Sequence, residues 1–169
     1  MKPFCLLLLL GLPANAWGQA AATSPPAFTT TGAFFALSVA DVKASADWYA
    51  EKFGMQRVMD VPRNNKVAVV VLEGGGLIVE LIQHDDAVPL SRVSSTVNDP
   101  LMVHGFFKAG LMVEDFDRAL ATLKARGVSI AYGPFPARSD QKANVIIRDN
   151  AGNLIQLFGK SAGRRADGH

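Results

Sequence analysis

The chain repeats itself, and that repeat restricts its fold more than any other feature. Phe35-Ala-Leu-Ser-Val-Ala-Asp41 is answered by Ala109-Gly-Leu-Met-Val-Glu-Asp115, setting Leu37 against Leu111, Val39 against Val113 and Asp41 against Asp115 at a spacing of 74. Each segment alternates like a half-buried strand and stops at an Asp able to cap a helix. The first helix that follows carries Val42, Ser45, Ala46, Tyr49 and Phe53 on one face and stops at Gly54. The second carries Phe116, Ala119, Leu120 and Leu123 and stops at Gly127. Both show helical periodicity with a glycine stop.

Strand-like runs come next, at 56–59, 67–72 and 77–82 in the first half and at 128–131, 143–148 and 154–158 in the second. The last two runs of each half are joined by tight turns, Glu73-Gly74-Gly75-Gly76 and Asp149-Asn150-Ala151-Gly152. Here Gly76 matches Gly152, Glu80 matches Gln156 and Leu81 matches Leu157, now at a spacing of 76. Each half therefore reads as strand, helix and three strands. The modules span 33–83 and 106–159 of one domain covering 33–159. Between them the 84–98 segment is polar and irregular, the kind of long loop that is usually functional or mobile.

The first twenty residues read as an address. Met1-Lys2 gives a positive start, 4–12 is a leucine-rich apolar run, and Ala14-Asn15-Ala16 has the small-x-small form of a signal-peptidase site, with a second after Ala20. The run is too short for a bilayer, which needs roughly 20 apolar residues, so no stable membrane anchor is expected. Residues 21–32 form a linker and 160–169 a flexible tail. Export to a periplasmic or extracellular space follows, and cleavage removes Cys5, the single cysteine. The charge balance of 17 Lys and Arg against 15 Asp and Glu, with no basic stripe among aromatics, argues against nucleic acid.

Three stretches carry a family likeness: LSVADVKASADWYAEKFGM, LMVEDFDRALATLKARGV and VIIRDNAGNLIQLF. Together they resemble the vicinal oxygen chelate superfamily, which includes glyoxalase I, bleomycin-resistance proteins and extradiol dioxygenases. The resemblance implies an α+β fold in which two βαβββ modules form a curled mixed sheet around a cleft, helices outside. It also implies four positions for divalent-metal ligands. In this sequence they fall on Phe34, Glu80, Lys108 and Gln156. Phe34 has no donor and Lys108 is a cation, so only Glu80 and Gln156 suit a metal. His84 and His104 stand four residues from Glu80 and Lys108, roughly 13 Å along a strand.

By alternation, the cleft face carries Phe34, Ala36 and Ser38; Phe106, Lys108, Gly110 and Met112; Ile78, Glu80 and Ile82; and Leu154, Gln156 and Phe158. The candidate ligand-binding residues are thus Phe34, Ser38, Glu80, Phe106, Lys108, Met112, Gln156 and Phe158. A mostly apolar hollow with a few polar groups is the usual constitution of a small-molecule site. Glu80 and Lys108 are also the candidates for any catalytic role, as base and oxyanion acceptor, or else form a structural ion pair. Trp48 and Tyr49 read as core and rim, 63–66 as a solvated hairpin turn, and Arg138 as a loop residue.

The leading expectation is an exported protein of the bleomycin-resistance kind, binding a small organic ligand in a metal-less cleft without a cofactor. The resemblance further implies a homodimer whose partner completes the cleft. The alternative is a metal-dependent lyase or isomerase of the lactoylglutathione lyase type, or a dioxygenase, using a divalent metal ion on Glu80, Gln156 and a displaced histidine. Whether the chain is an enzyme stays open at this point.

Overall fold

The computed structural model describes residues 33–97, 102, 104–138 and 141–160. The expected signal peptide, the linker and the tail beyond Lys160 lie outside the described residues. Two modules of the same plan follow one another. The first is β1 (Ala33–Ser38), α1 (Val42–Phe53), β2 (Gln56–Asn64), β3 (Val67–Gly74) and β4 (Leu77–His84). A short helix, α2 (Leu90–Val93), lies in the connecting segment. The second module is β5 (Ala109–Val113), α3 (Phe116–Ala125), β6 (Ser129–Phe135), β7 (Asn144–Arg148) and β8 (Leu154–Gly159).

Each module makes a four-stranded mixed sheet of identical topology, β1-β4-β3-β2 and β5-β8-β7-β6. The helical crossover lets β1 pair in parallel with β4 and β5 with β8. Leu37 lies opposite Leu81, and Leu111 opposite Leu157. The α+β class and the two βαβββ units are therefore as the repeat requires. The two sheets stay separate, with β1 and β5 as edge strands.

Local chemistry sets the boundaries. The Asp41 carboxylate accepts from the Ala44 N–H over 2.9 Å and that of Asp115 from the Arg118 N–H over 2.9 Å, so both helices start where a side chain satisfies an orphan donor. Gly54 ends α1 in the left-handed region at φ 73°, which costs a glycine nothing. The β2–β3 hairpin turns at Asn65 and Lys66, both with positive φ (46° and 80°), as the right-handed strand twist favours in a two-residue turn.

Strands β2 and β6 run further than periodicity foretold, to Asn64 and Phe135. Each carries a proline in its second half, Pro62 or Pro134, and shows a register shift there. Both are edge strands, where a missing N–H removes no ladder bond.

One core joins the modules. Leu37, Tyr49, Leu72, Val79 and Leu81 pack in the same cluster as Leu123, Val145, Ile147, Ile155 and Leu157. On β1, β4 and β8 these are the residues alternating with those assigned to the cleft face. Against the cluster Tyr49 meets Trp48 and Phe53 edge to face, and Trp48 and Phe53 are tilted at 54°, with centroids 5.0–5.5 Å apart. No described helix is long and apolar enough to cross a membrane.

Candidate functional site

A cavity of about 730 Å³ opens between the edge strands β1 and β5. Phe34 and Phe35 line it from β1, and 108–113 from β5 and the residue before it. The C-terminal end of α1 contributes Lys52 and Phe53, the β3–β4 turn contributes 74–77, and α3 contributes Arg118, Ala119, Thr122, Leu123 and Arg126 along one face and its end. Most of this wall is apolar, as for a small organic ligand.

The cavity follows from a break in the repeat. On the opposite seam, α1 is sealed onto the β7–β8 turn. The Tyr49 hydroxyl donates to Asp149 Oδ2 over 3.0 Å, and the Asn150 amide to Ser45 Oγ over 3.3 Å. Asp149 also accepts from the N–H groups of Ala151 (3.0 Å) and Asn153 (2.8 Å) and from the Asn153 side chain (2.9 Å). It is buried, as is Tyr49, and neither is left unpaired. Burial first, then the charge of Asp149 and the bond to it, push the Tyr49 ionisation well above the ordinary phenol range.

On the cavity seam the corresponding residues, 74 further on, are Ala119 for Ser45 and Leu123 for Tyr49; 76 further back, Glu73 stands for Asp149 and Gly74 for Asn150. Glu73 keeps a carboxylate, but Ala119 and Leu123 have no hydroxyl and Gly74 no amide, so the same closure cannot form. At Gly74 a Cβ would lie 3.1 Å from Met55 Cα and 3.2 Å from its Cγ, so a larger residue there displaces buried Met55.

Of the eight ligand-binding candidates, Phe34, Phe106, Lys108 and Met112 line this cavity. Ser38 is exposed, and Glu80 and Phe158 are half-buried; none of these is among the lining residues. Gln156 is buried behind the sheet surface and donates its amide to Asn144 Oδ1 over 2.9 Å. Glu80 and Lys108 make no ion pair. The Lys108 ammonium instead lies 5.5 Å from the centre of the Phe107 ring.

Sequence reasoning missed Lys52, Phe53, Arg118 and Arg126, which reach the cavity from the helices. The signal was present in the positions where the two repeats disagree in size, since 48, 49 and 53 are Trp, Tyr and Phe while 122, 123 and 127 are Thr, Leu and Gly.

Two of the four positions where the resemblance puts metal ligands do not suit a divalent cation. Phe34 offers no donor and Lys108 brings a positive charge, which leaves Glu80 and the amide oxygen of Gln156, whose NH2 donates to Asn144. His84 turns its Nδ1 to the Asp86 N–H at 3.0 Å. Among the described residues no three His, Cys, Asp or Glu side chains come together.

Paired βαβββ modules with an apolar cavity between edge strands define a fold rather than one reaction. The family model for the Glyoxalase/Bleomycin resistance protein/Dioxygenase superfamily matches residues 33–157, and the chain belongs to that superfamily. Among solved structures it is similar to a glyoxylase/bleomycin resistance protein/dioxygenase domain from Frankia sp. EAN1pec, with 18% identity, 80% of this chain and 95% of that one covered, and a TM-score of 0.61. It is similar to TnmS3, an antibiotic binding protein from Streptomyces sp. CB03234, with 23% identity, 79% and 98% covered, and a TM-score of 0.54. A glyoxalase I mutant from Zea mays gives 21% identity and a TM-score of 0.55, over 74% of this chain but 43% of that one. At such identities the likeness is one of fold. No curated protein matches the chain in sequence.

Proposed function

We propose that this chain is an exported binding protein that holds a small organic molecule between its two modules without a metal. The observation that carries the reading is the 730 Å³ cavity itself, in which an aromatic ring (Phe34) and an ammonium (Lys108) occupy positions expected of metal ligands. A wall of that kind gains free energy by burying an apolar body, about 25 cal/mol per Å² removed from water. The antibiotic-binding function of TnmS3 supports a binding role within the same fold. Export rests on the leucine-rich start and the Ala14-Asn15-Ala16 site.

A second copy of the chain is the natural cover for the cavity mouth. Phe34 is 65% exposed, Phe106 73% and Met112 59%, a cluster of large apolar side chains beside open strand edges.

Elemental analysis of the purified mature protein, run beside a thermal-shift screen of metals, thiols, aromatic antibiotics and acyl compounds, tests the reading. Substoichiometric metal with stabilisation by an organic compound is expected. Stoichiometric Ni, Zn, Fe or Mn that disappears in Glu80→Ala would instead establish the metal-dependent enzyme.

A further inference from the structure

We propose that the ligand is an organic acid, its apolar body against Phe34, Phe53 and Leu123 and its acidic group held by Lys52, Lys108 and Arg126. This rests on the cavity reading above and adds the chemical class of the occupant.

Charge in the wall is lopsided. Lys52, Lys108, Arg118 and Arg126 face the two carboxylates Glu114 and Asp115. Both carboxylates are already engaged: Glu114 with the Lys160 ammonium at 2.9 Å, and Asp115 with the N–H of Arg118 at 2.9 Å as the cap of α3. The cations are engaged less fully. Arg126 Nη1 donates to the Lys52 carbonyl at 2.9 Å, which satisfies one hydrogen and neutralises nothing. Among the described residues Lys52 pairs only with Glu51, whose carboxylate is outside the cavity wall and 70% exposed. Neither Lys108 nor Arg126 makes an ion pair among the described residues.

Three of the four positive groups also collect at one end, Arg118 lying in the first turn of α3 beside Asp115. Strand β5 rises about 16 Å over its five residues and α3 returns about 15 Å over its ten. The return brings Arg126 back to the level of Lys108, and the bond from Arg126 to Lys52 places the end of α1 there too. Glu114, six residues along from Lys108, lies about 20 Å away. The C-terminal ends of α1 and α3 oppose an anion with about half an elementary charge each. The two unpaired charges of Lys108 and Arg126, with Lys52 shared with Glu51, exceed that, and three carbonyls at the end of α1 are already taken: those of Tyr49 and Ala50 by N–H groups of the cap and that of Lys52 by Arg126.

Space for the body comes from the broken repeat. Where α1 fills its seam with Tyr49, α3 offers only Leu123, and no ring equivalent to Phe53 follows it because Gly127 stands there. The room left under α3 and the cations at its end belong to one cavity.

Titration calorimetry with 1-naphthoate and its neutral isostere 1-naphthamide tests the assignment. Naphthoate is expected to bind at least about tenfold more tightly than the amide, as for a charge-assisted hydrogen bond. Lys52→Met and Arg126→Met should each erase most of that preference while leaving the amide within about twofold. Lys52→Met leaves its carbonyl in place for Arg126 and so separates charge from folding. Filling the seam with the sister residue, Leu123→Tyr, should weaken both probes alike. Equal binding of acid and amide overturns the acid assignment and leaves the cavity reading standing. Binding of neither overturns both. Unchanged naphthoate affinity in both Met variants, with lowered stability, reduces Lys52 and Arg126 to helix-end cations and overturns the proposal.

Discussion

The Tyr49 hydroxyl and the Asp149 carboxylate, 100 residues apart in the chain, meet at 3.0 Å inside the molecule and lock the first helix onto the last hairpin. Tyr49→Phe removes the donor while three other bonds to Asp149 remain, so a loss of about 1–2 kcal/mol is expected. Asp149→Ala leaves the buried hydroxyl and the turn amides without their acceptor and should cost more, about 3 kcal/mol or above. Urea unfolding of the two variants measures both losses. Equal stability of Asp149→Ala and the parent chain would show that the seam carries no such weight.

The same pair sets an alkaline limit. Folding holds Tyr49 protonated, so its contribution is complete below the ordinary phenol value of about 10 and declines as pH rises past it. Above that point the unfolded chain releases a proton that the folded chain keeps, so stability falls by about 1.4 kcal/mol per pH unit. Unfolding free energies of the parent and Tyr49→Phe should converge between pH 8 and 11.5, the variant showing the shallower decline. Parallel curves would count against this account.

Asp41→Ala and Asp115→Ala should each lower stability by about 1 kcal/mol, the usual value of a helix N-cap. The two caps lie in different modules and share no partner, so the double variant should lose close to the sum. Thermal unfolding of the three variants checks this.

Lys108→Met is expected to weaken an anionic ligand and to leave a neutral one nearly unaffected. Calorimetry with matched charged and uncharged compounds measures the difference, and an unchanged affinity for the anion would remove Lys108 from the site.

Phe34→Glu and Met112→Glu should shift the chain toward monomer. Both positions are on the exposed apolar cluster that a second copy would cover, and a standard interface buries about 800 Å² per partner. Sedimentation velocity across a concentration range reads the change. A parent chain that stays monomeric at high concentration would remove the homodimer.

Much of the fold was legible because period and caps agree. Alternation at 35–39 and 109–113, the capping Asp41 and Asp115, and the stops at Gly54 and Gly127 all recur as strand, cap and turn in the structure. The far halves of β2 and β6 were not legible, since Pro62 and Gly133-Pro134 argue against a strand unless the strand is known to lie at an edge. Half of the site candidates reach the cavity, but Phe34 and Phe35 and all of 108–113 line it, so an open strand edge rather than one sheet face defines it. Alternation fixes which face a residue takes and not which neighbour covers it: Gln156, assigned to the cleft face, is buried against Asn144. The helix residues at the cavity escaped notice because the cleft was read from strand alternation alone, whereas Lys52 and Arg126 are set by how two helices end against each other and Arg118 by the first turn of α3.

A tandem duplication hands a chain two copies of every joint, and cohesion requires only one of them to hold. Once the Tyr49 joint is fastened, residues at the sister joint are released from that duty and free to diverge toward whatever lodges there. The asymmetry between the halves is thus a division of labour inherited from redundancy, with one seam serving as hinge-pin and its twin as doorway.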